Sequence, residues 1–128
     1  MSGSFDDLIK YRIERANETL ADARLLANSK SWNSCINRLY YASFYIVSAL
    51  LLKNNIRTNT HNGCKSKFHA EFVKTGIIDK NFGKLYSDLF DWRQEGDYAD
   101  FIAFDQVTVA PLLEQTEKLI IVIEKLLK

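Results

Sequence analysis

The sequence predicts an all-α fold, an up-and-down four-helix bundle with a fifth short helix. Three observations carry this. Apolar residues recur at helical spacing along most of the 128-residue chain, no segment alternates apolar and polar residues for long, and 5 Gly and 1 Pro leave room for few tight turns. The length suits a single domain over residues 1–128. A composition that is 47% hydrophobic and 12% aromatic supplies a core and excludes a disordered chain.

Ile9, Ile13, Ala16, Leu20, Ala23 and Ala27 step by 4, 3, 4, 3 and 4, which predicts a first helix from about Asp6 to Asn28. Ser29 and Lys30 read as a link, with Ser31 a candidate N-cap. A second helix, about Trp32 to Asn54, is apolar nearly all round and should be buried on several sides or present a second face to another chain. A third should open at His61 and run to Thr75, with Gly76 closing it in a left-handed conformation. Asp79 can cap a fourth that carries Phe82, Leu85, Tyr86, Leu89 and Arg93, with a break expected at Gly96. A last helix begins between Asp105 and Ala110, because Pro111 is tolerated only near its start.

Net charge is +1, from 17 basic and 16 acidic residues, which argues against coating of nucleic acid or anionic lipid by bulk electrostatics. The balance is local. Between Ser31 and Thr75, Arg38, Lys53, Arg57, Lys65, Lys67 and Lys74 face a single acid, Glu71, whereas residues 76–110 are acidic. Cross-bundle ion pairs or a basic cleft for a phosphate-bearing ligand would each account for this.

The N-terminus lacks a basic region leading into an apolar stretch, so no secretory signal is expected. The longest uncharged run, Leu39 to Leu52, falls short of the roughly 20 residues a membrane span needs. Cys35 and Cys64 are too few for a disulfide framework and read as reduced thiols of a cytoplasmic protein. Phosphate-binding, dinucleotide-binding, zinc-protease and serine-hydrolase motifs are absent. His61 and Cys64 alone do not make a zinc site, so no metal and no cofactor is expected.

Three clusters carry the remaining chemistry. Asn37, Arg38, Leu39, Tyr40, Tyr41 and Ala42 set an arginine in an apolar helix, where it must be paired, for example with Asp97, or face a cleft or interface. Thr60, His61, Asn62, Gly63, Cys64 and Lys65 form a helix start, either plain capping or a place for an anion. Arg93, Gln94, Glu95, Gly96, Asp97 and Tyr98 close the fourth helix, with local Arg–Asp pairing as the structural reading.

These clusters, in this order on a helical bundle, resemble the HEPN domain, in particular its stand-alone bacterial branch. The resemblance covers Phe5 to Lys128. It implies a HEPN-like bundle of five helices, commonly a homodimer, which here would meet through Tyr40, Tyr41 and Phe44. Many HEPN proteins are metal-independent endoribonucleases of toxin–antitoxin, CRISPR and phage-defence systems. Their signature is an arginine followed, after four to six intervening residues, by a histidine, with two copies forming one composite site. Histidine suits transfer of the 2′-hydroxyl proton and arginine suits the scissile phosphate.

The sequence departs from that signature: after Arg93, the positions where the histidine is expected hold Tyr98, Ala99 and Asp100. The expectation is therefore a dimeric module that binds RNA, a nucleotide or a partner protein. Arg38, His61, Lys65, Arg93, Asp97 and Tyr98 would take the phosphate, and a minimal nucleotidyltransferase is the partner that the resemblance implies. Two alternatives stay open. One is a divergent metal-independent endoribonuclease with Arg93, His61 and Arg38 as catalytic candidates. The other is an unrelated helical protein-interaction module.

Overall fold

A computed structural model describes the backbone of residues 2–98 and 103–128, and the side chains of residues 5–93 and 103–128. Helix α1 is Ser2–Asn28, α2 is Trp32–Lys53, α3 is His61–Phe68, α4 is Lys80–Tyr98 and α5 is Gln106–Leu126. No strand occurs among the described residues. The architecture is the four-helix bundle with a short additional helix that the sequence predicts. Helix α2 packs against α1, α4 and α5, and α3 lies across α2 and α4 at one side.

The predicted stripe of α1 faces α2. Ala16 and Ala23 are fully buried, and their small side chains let the two backbones approach closely enough for the Cys35 thiol to donate to the Ala23 carbonyl at 3.3 Å. In α2, Ile36, Leu39, Tyr40, Ile46 and Val47 are inaccessible to solvent. Each large apolar side chain so buried stabilises the fold by about 1.5–3 kcal/mol. Helix α2 is long and apolar enough to cross a membrane, but 72% of its most apolar window is buried within the chain, as in the central helix of a bundle.

Helix ends follow local chemistry. The Thr60 hydroxyl accepts from the Gly63 N–H at 2.8 Å, Asp79 accepts from Asn81 N–H at 2.8 Å and Asp105 accepts from Thr108 N–H at 3.0 Å. Gly76 takes φ +86°, the left-handed conformation expected of it. Ser31 occupies the N-cap position of α2 but its side chain makes no capping bond. Lys30, at φ 60°, turns the chain there instead, and the Ser31 N–H reaches back to the Leu26 carbonyl at 2.8 Å.

The third helix is not one α-helix to Thr75. After Phe68 it widens into a π-helical turn, His69–Val73, in which the Lys74 N–H bonds the His69 carbonyl at 2.8 Å. The wider turn buries Phe72 and brings His69 Nε2 to 3.0 Å from the Ser87 hydroxyl of α4. Gly83 makes this approach possible, since a Cβ there would stand 2.8 Å from Val73 Cγ1. Gly96 does not break α4, which continues to Tyr98, because one glycine inside a helix costs only about 1 kcal/mol. Pro111 lies in the second turn of α5. The Val107 carbonyl loses its helical donor there, on a side chain 83% exposed where water can serve.

Candidate functional site

The site grows from the start of α3. Thr60 is extended, its hydroxyl caps the helix, and the chain enters α3 with His61 turned onto α2. His61 Nδ1 lies 2.7 Å from the Tyr40 hydroxyl, and its ring packs on Phe44 with centroids 4.6 Å apart. From α4, the Arg93 guanidinium sits over the Tyr40 ring at 4.7 Å and over Phe90 at 5.0 Å. Lys65, one turn after His61, brings its ammonium 4.6 Å from the Phe90 centroid. Helices α3 and α4 thus deliver two cations and an imidazole onto one pair of aromatic rings, Tyr40 of α2 and Phe90 of α4.

These cations lack acidic partners among the described residues. Arg15–Glu18, Arg24–Glu117, Lys84–Asp88 and Lys118–Glu114 are the ion pairs among the described residues, and none involves Arg38, Lys65 or Arg93. Arg93 Nε is buried without a hydrogen-bond partner among the described residues. A buried donor of this kind is costly unless something accepts from it. Burial, and then the charge of Arg93, hold the His61 imidazole below its ordinary pKa, so the ring is neutral at pH 7. Burial pushes the Tyr40 hydroxyl up to about 12. Burial also raises Tyr86 well above the usual tyrosine value, and its hydroxyl donates to Cys64 Sγ at 3.6 Å. Tyr40 fixes the imidazole through Nδ1, and Nε2 has no partner among the described residues.

His61, Lys65 and Arg93, three of the residues expected to take a phosphate, therefore meet. Arg38 lies one ring further along α2, over Tyr41 at 5.1 Å, with Nη2 donating to Asn37 Oδ1 at 2.8 Å. Asp97 and Tyr98, and with them an Arg38–Asp97 or Arg93–Asp97 pair, have side chains outside the described residues. Of the three residues expected between copies, Tyr40 is fully buried in its own chain and has no surface to offer a second one. Tyr41 and Phe44 are half-buried and keep an outer edge.

Sequence reasoning missed Phe90 and the role of Tyr86. Their signal was the spacing Tyr86, Phe90, Arg93 on α4, which sets both rings on the side of the arginine. A groove of about 520 Å³ between α4 and α5 is no rival site. Its two lysines, Lys84 and Lys118, are already paired with Asp88 and Glu114.

Comparison with known proteins shows the family of the chain. The chain is 40% identical over 123 residues to a UPF0332 protein of Thermotoga maritima, covering 96% of this chain and 93% of that one. It is 31% identical over 112 residues to a Methanocaldococcus jannaschii protein named as a putative toxin, covering 88% and 78% of the two chains. A second protein of that organism with the same designation is 35% identical over 86 residues, covering 67% of this chain and 58% of its own length. The family model described as the HEPN domain matches residues 9–126, and the chain belongs to the HEPN domain family.

Proposed function

We propose that this chain is a HEPN module of a toxin-type system that binds RNA or a nucleotide through phosphate held by His61, Lys65 and Arg93. The carrying observation is Arg93, a guanidinium stacked on two rings with a buried, unpartnered Nε and no acid beside it among the described residues. A phosphate oxygen is the acceptor such a group lacks, and Lys65 on the same ring adds charge. Relatives named as putative toxins support the toxin-type reading. The same reading makes the chain a single domain over residues 1–128 that acts as a homodimer in the cytoplasm, with a minimal nucleotidyltransferase as its protein partner.

A second reading is favoured by the His61–Tyr40 bond. A neutral imidazole, fixed by Tyr40 and beside a phosphate-seeking arginine, suits a metal-independent endoribonuclease. His61 Nε2 would take the proton of a 2′-hydroxyl, whose oxygen attacks the adjacent phosphorus. The 5′-oxygen would leave with a proton from water, giving a 2′,3′-cyclic phosphate, while Arg93 offsets the developing charge.

One experiment separates the two. Purified protein is incubated with end-labelled total RNA in EDTA, beside Arg93→Ala and His61→Ala, and retention of RNA on a filter is measured in parallel. Binding without cleavage, lost in Arg93→Ala, is the expected result. Cleavage lost in both variants establishes the nuclease. Neither binding nor cleavage by a folded wild-type chain overturns both readings.

A further inference from the structure

Beyond the phosphate site, one face of α2 carries three half-buried aromatic rings in unbroken contact. Tyr41 and Phe44 have centroids 6.3 Å apart, Tyr41 and Tyr45 are 6.5 Å apart, and Phe44 and Tyr45 are 5.9 Å apart. Cations flank the strip. Arg38 lies over Tyr41 at 5.1 Å and Arg15 of α1 over Tyr45 at 5.2 Å. His61 packs on Phe44 and joins the strip to the Arg93 site. The spacing of positions 38, 41 and 45 keeps these residues on one side of the helix. Neighbouring α2 positions Leu39, Ala42 and Ser43 are fully buried, so this side is the one the bundle leaves partly open.

We propose that this strip is a stacking platform for single-stranded RNA, whose bases lie on Tyr41, Phe44 and Tyr45 while a backbone phosphate sits at Arg93; this rests on the phosphate reading above. Rings interleaved with cations are what unpaired bases on a polyanionic backbone need. Every base offers a face, so stacking of this kind tolerates sequence. A duplex has its bases already stacked and cannot use it. Arg38 is anchored by Asn37 and has no acidic partner among the described residues, so its charge is available to phosphate. A second copy of the chain fits the strip less well. Two-fold pairing would double the same excess of arginine within one interface, where Glu18, already on Arg15, is the acid paired with a flanking cation among the described residues.

The test measures anisotropy of a short labelled oligouridylate against a duplex and an abasic oligoribonucleotide of equal length. Wild type, Arg93→Ala and the double variant Tyr41→Leu/Tyr45→Leu are compared. The single strand should bind tightest to wild type. The double variant should lose about tenfold or more of that affinity and keep its affinity for the abasic strand. Arg93→Ala should weaken both. A double variant that binds the single strand like wild type, while Arg93→Ala does not, overturns the platform and leaves the phosphate site standing. The reverse pattern upholds the platform and removes the phosphate site. A double variant that turns a dimer into a monomer with RNA affinity intact makes the strip an interface between copies and overturns the proposal. Should the double variant fail to fold, 4-thiouridine RNA is photocrosslinked to wild type. Adducts within residues 38–45 support the platform, and adducts confined to α3 or α4 overturn it.

Discussion

The Tyr40 hydroxyl and His61 Nδ1 stand 2.7 Å apart, and Arg93 lies over the ring of that same tyrosine at 4.7 Å. The imidazole is therefore oriented by one neighbour and kept neutral by burial and by the other. Replacing Arg93 with Gln removes a positive charge that opposes protonation. The His61 pKa should then rise toward the ordinary value near 6.5, read from the imidazole proton shifts in an NMR titration. An unchanged His61 titration in a folded Arg93→Gln chain would show that the two groups do not interact.

Both histidines bind protons less readily folded than unfolded, His61 through burial and Arg93, His69 through burial and Lys65. The unfolded chain then holds more protons as pH drops through about 6.5, so stability must fall with acidification in that range. The full contribution is present above that pH. Urea unfolding midpoints should decline from pH 7.5 to pH 5.5, and His61→Gln/His69→Gln should flatten the decline.

Gly83 of α4 lies close against the π-helical turn. Alanine is the better helix former by about 1 kcal/mol, yet its Cβ would stand 2.8 Å from Val73 Cγ1 and 3.0 Å from His69 Cε1. Overpacking against a branched side chain costs about 1–3 kcal/mol, so the clash wins. Gly83→Ala should lower the unfolding midpoint, and the His69–Ser87 contact should loosen with it.

Lys30 makes the opposite case. It holds φ 60°, a conformation that costs a non-glycine residue about 1–2 kcal/mol. Lys30→Gly should stabilise the chain by about 0.5–1 kcal/mol once the greater freedom of glycine when unfolded is subtracted. Gly76→Ala, at φ +86° with open space around it, should destabilise by strain alone. Thermal melts of both variants check the pair.

The cap of α3 links stability to the site. Thr60→Ala removes the hydroxyl that holds Gly63 N–H and should cost about 1 kcal/mol. His61 follows directly, so RNA retention should fall by more than in a surface control such as Lys128→Ala.

The spacing along α1, the left-handed glycine after the π-helical turn and the carboxylate opening α4 were legible because each is set by residues a few positions apart. The π-helical turn was not, because it is fixed by Gly83 and Ser87 on another helix. Nor could the sequence separate Tyr40 from Tyr41. Adjacent residues on a helix point about 100° apart, and only the packed bundle decides which turns inward. Tyr40 went into the core and became the seat of His61 and Arg93, while Tyr41 stayed at the surface under Arg38. His61, Lys65 and Arg93 were recognisable by residue type, but their convergence on Tyr40 and Phe90 comes from tertiary packing.

Cys35 and Cys64 are both buried, and burial pushes the Cys35 thiol up to about 11 and raises Cys64 as well. Neither offers a thiolate to a reagent while the bundle is closed. Alkylation in native buffer then counts only opening events, and the two sulfurs become internal clocks. Cys35 times the separation of α1 from α2, where it is bonded to Ala23, and Cys64 times the lifting of α3 from Tyr86. If Cys64 reacts faster than Cys35, the wall that carries His61 and Lys65 breathes on its own while the rest of the bundle stays shut.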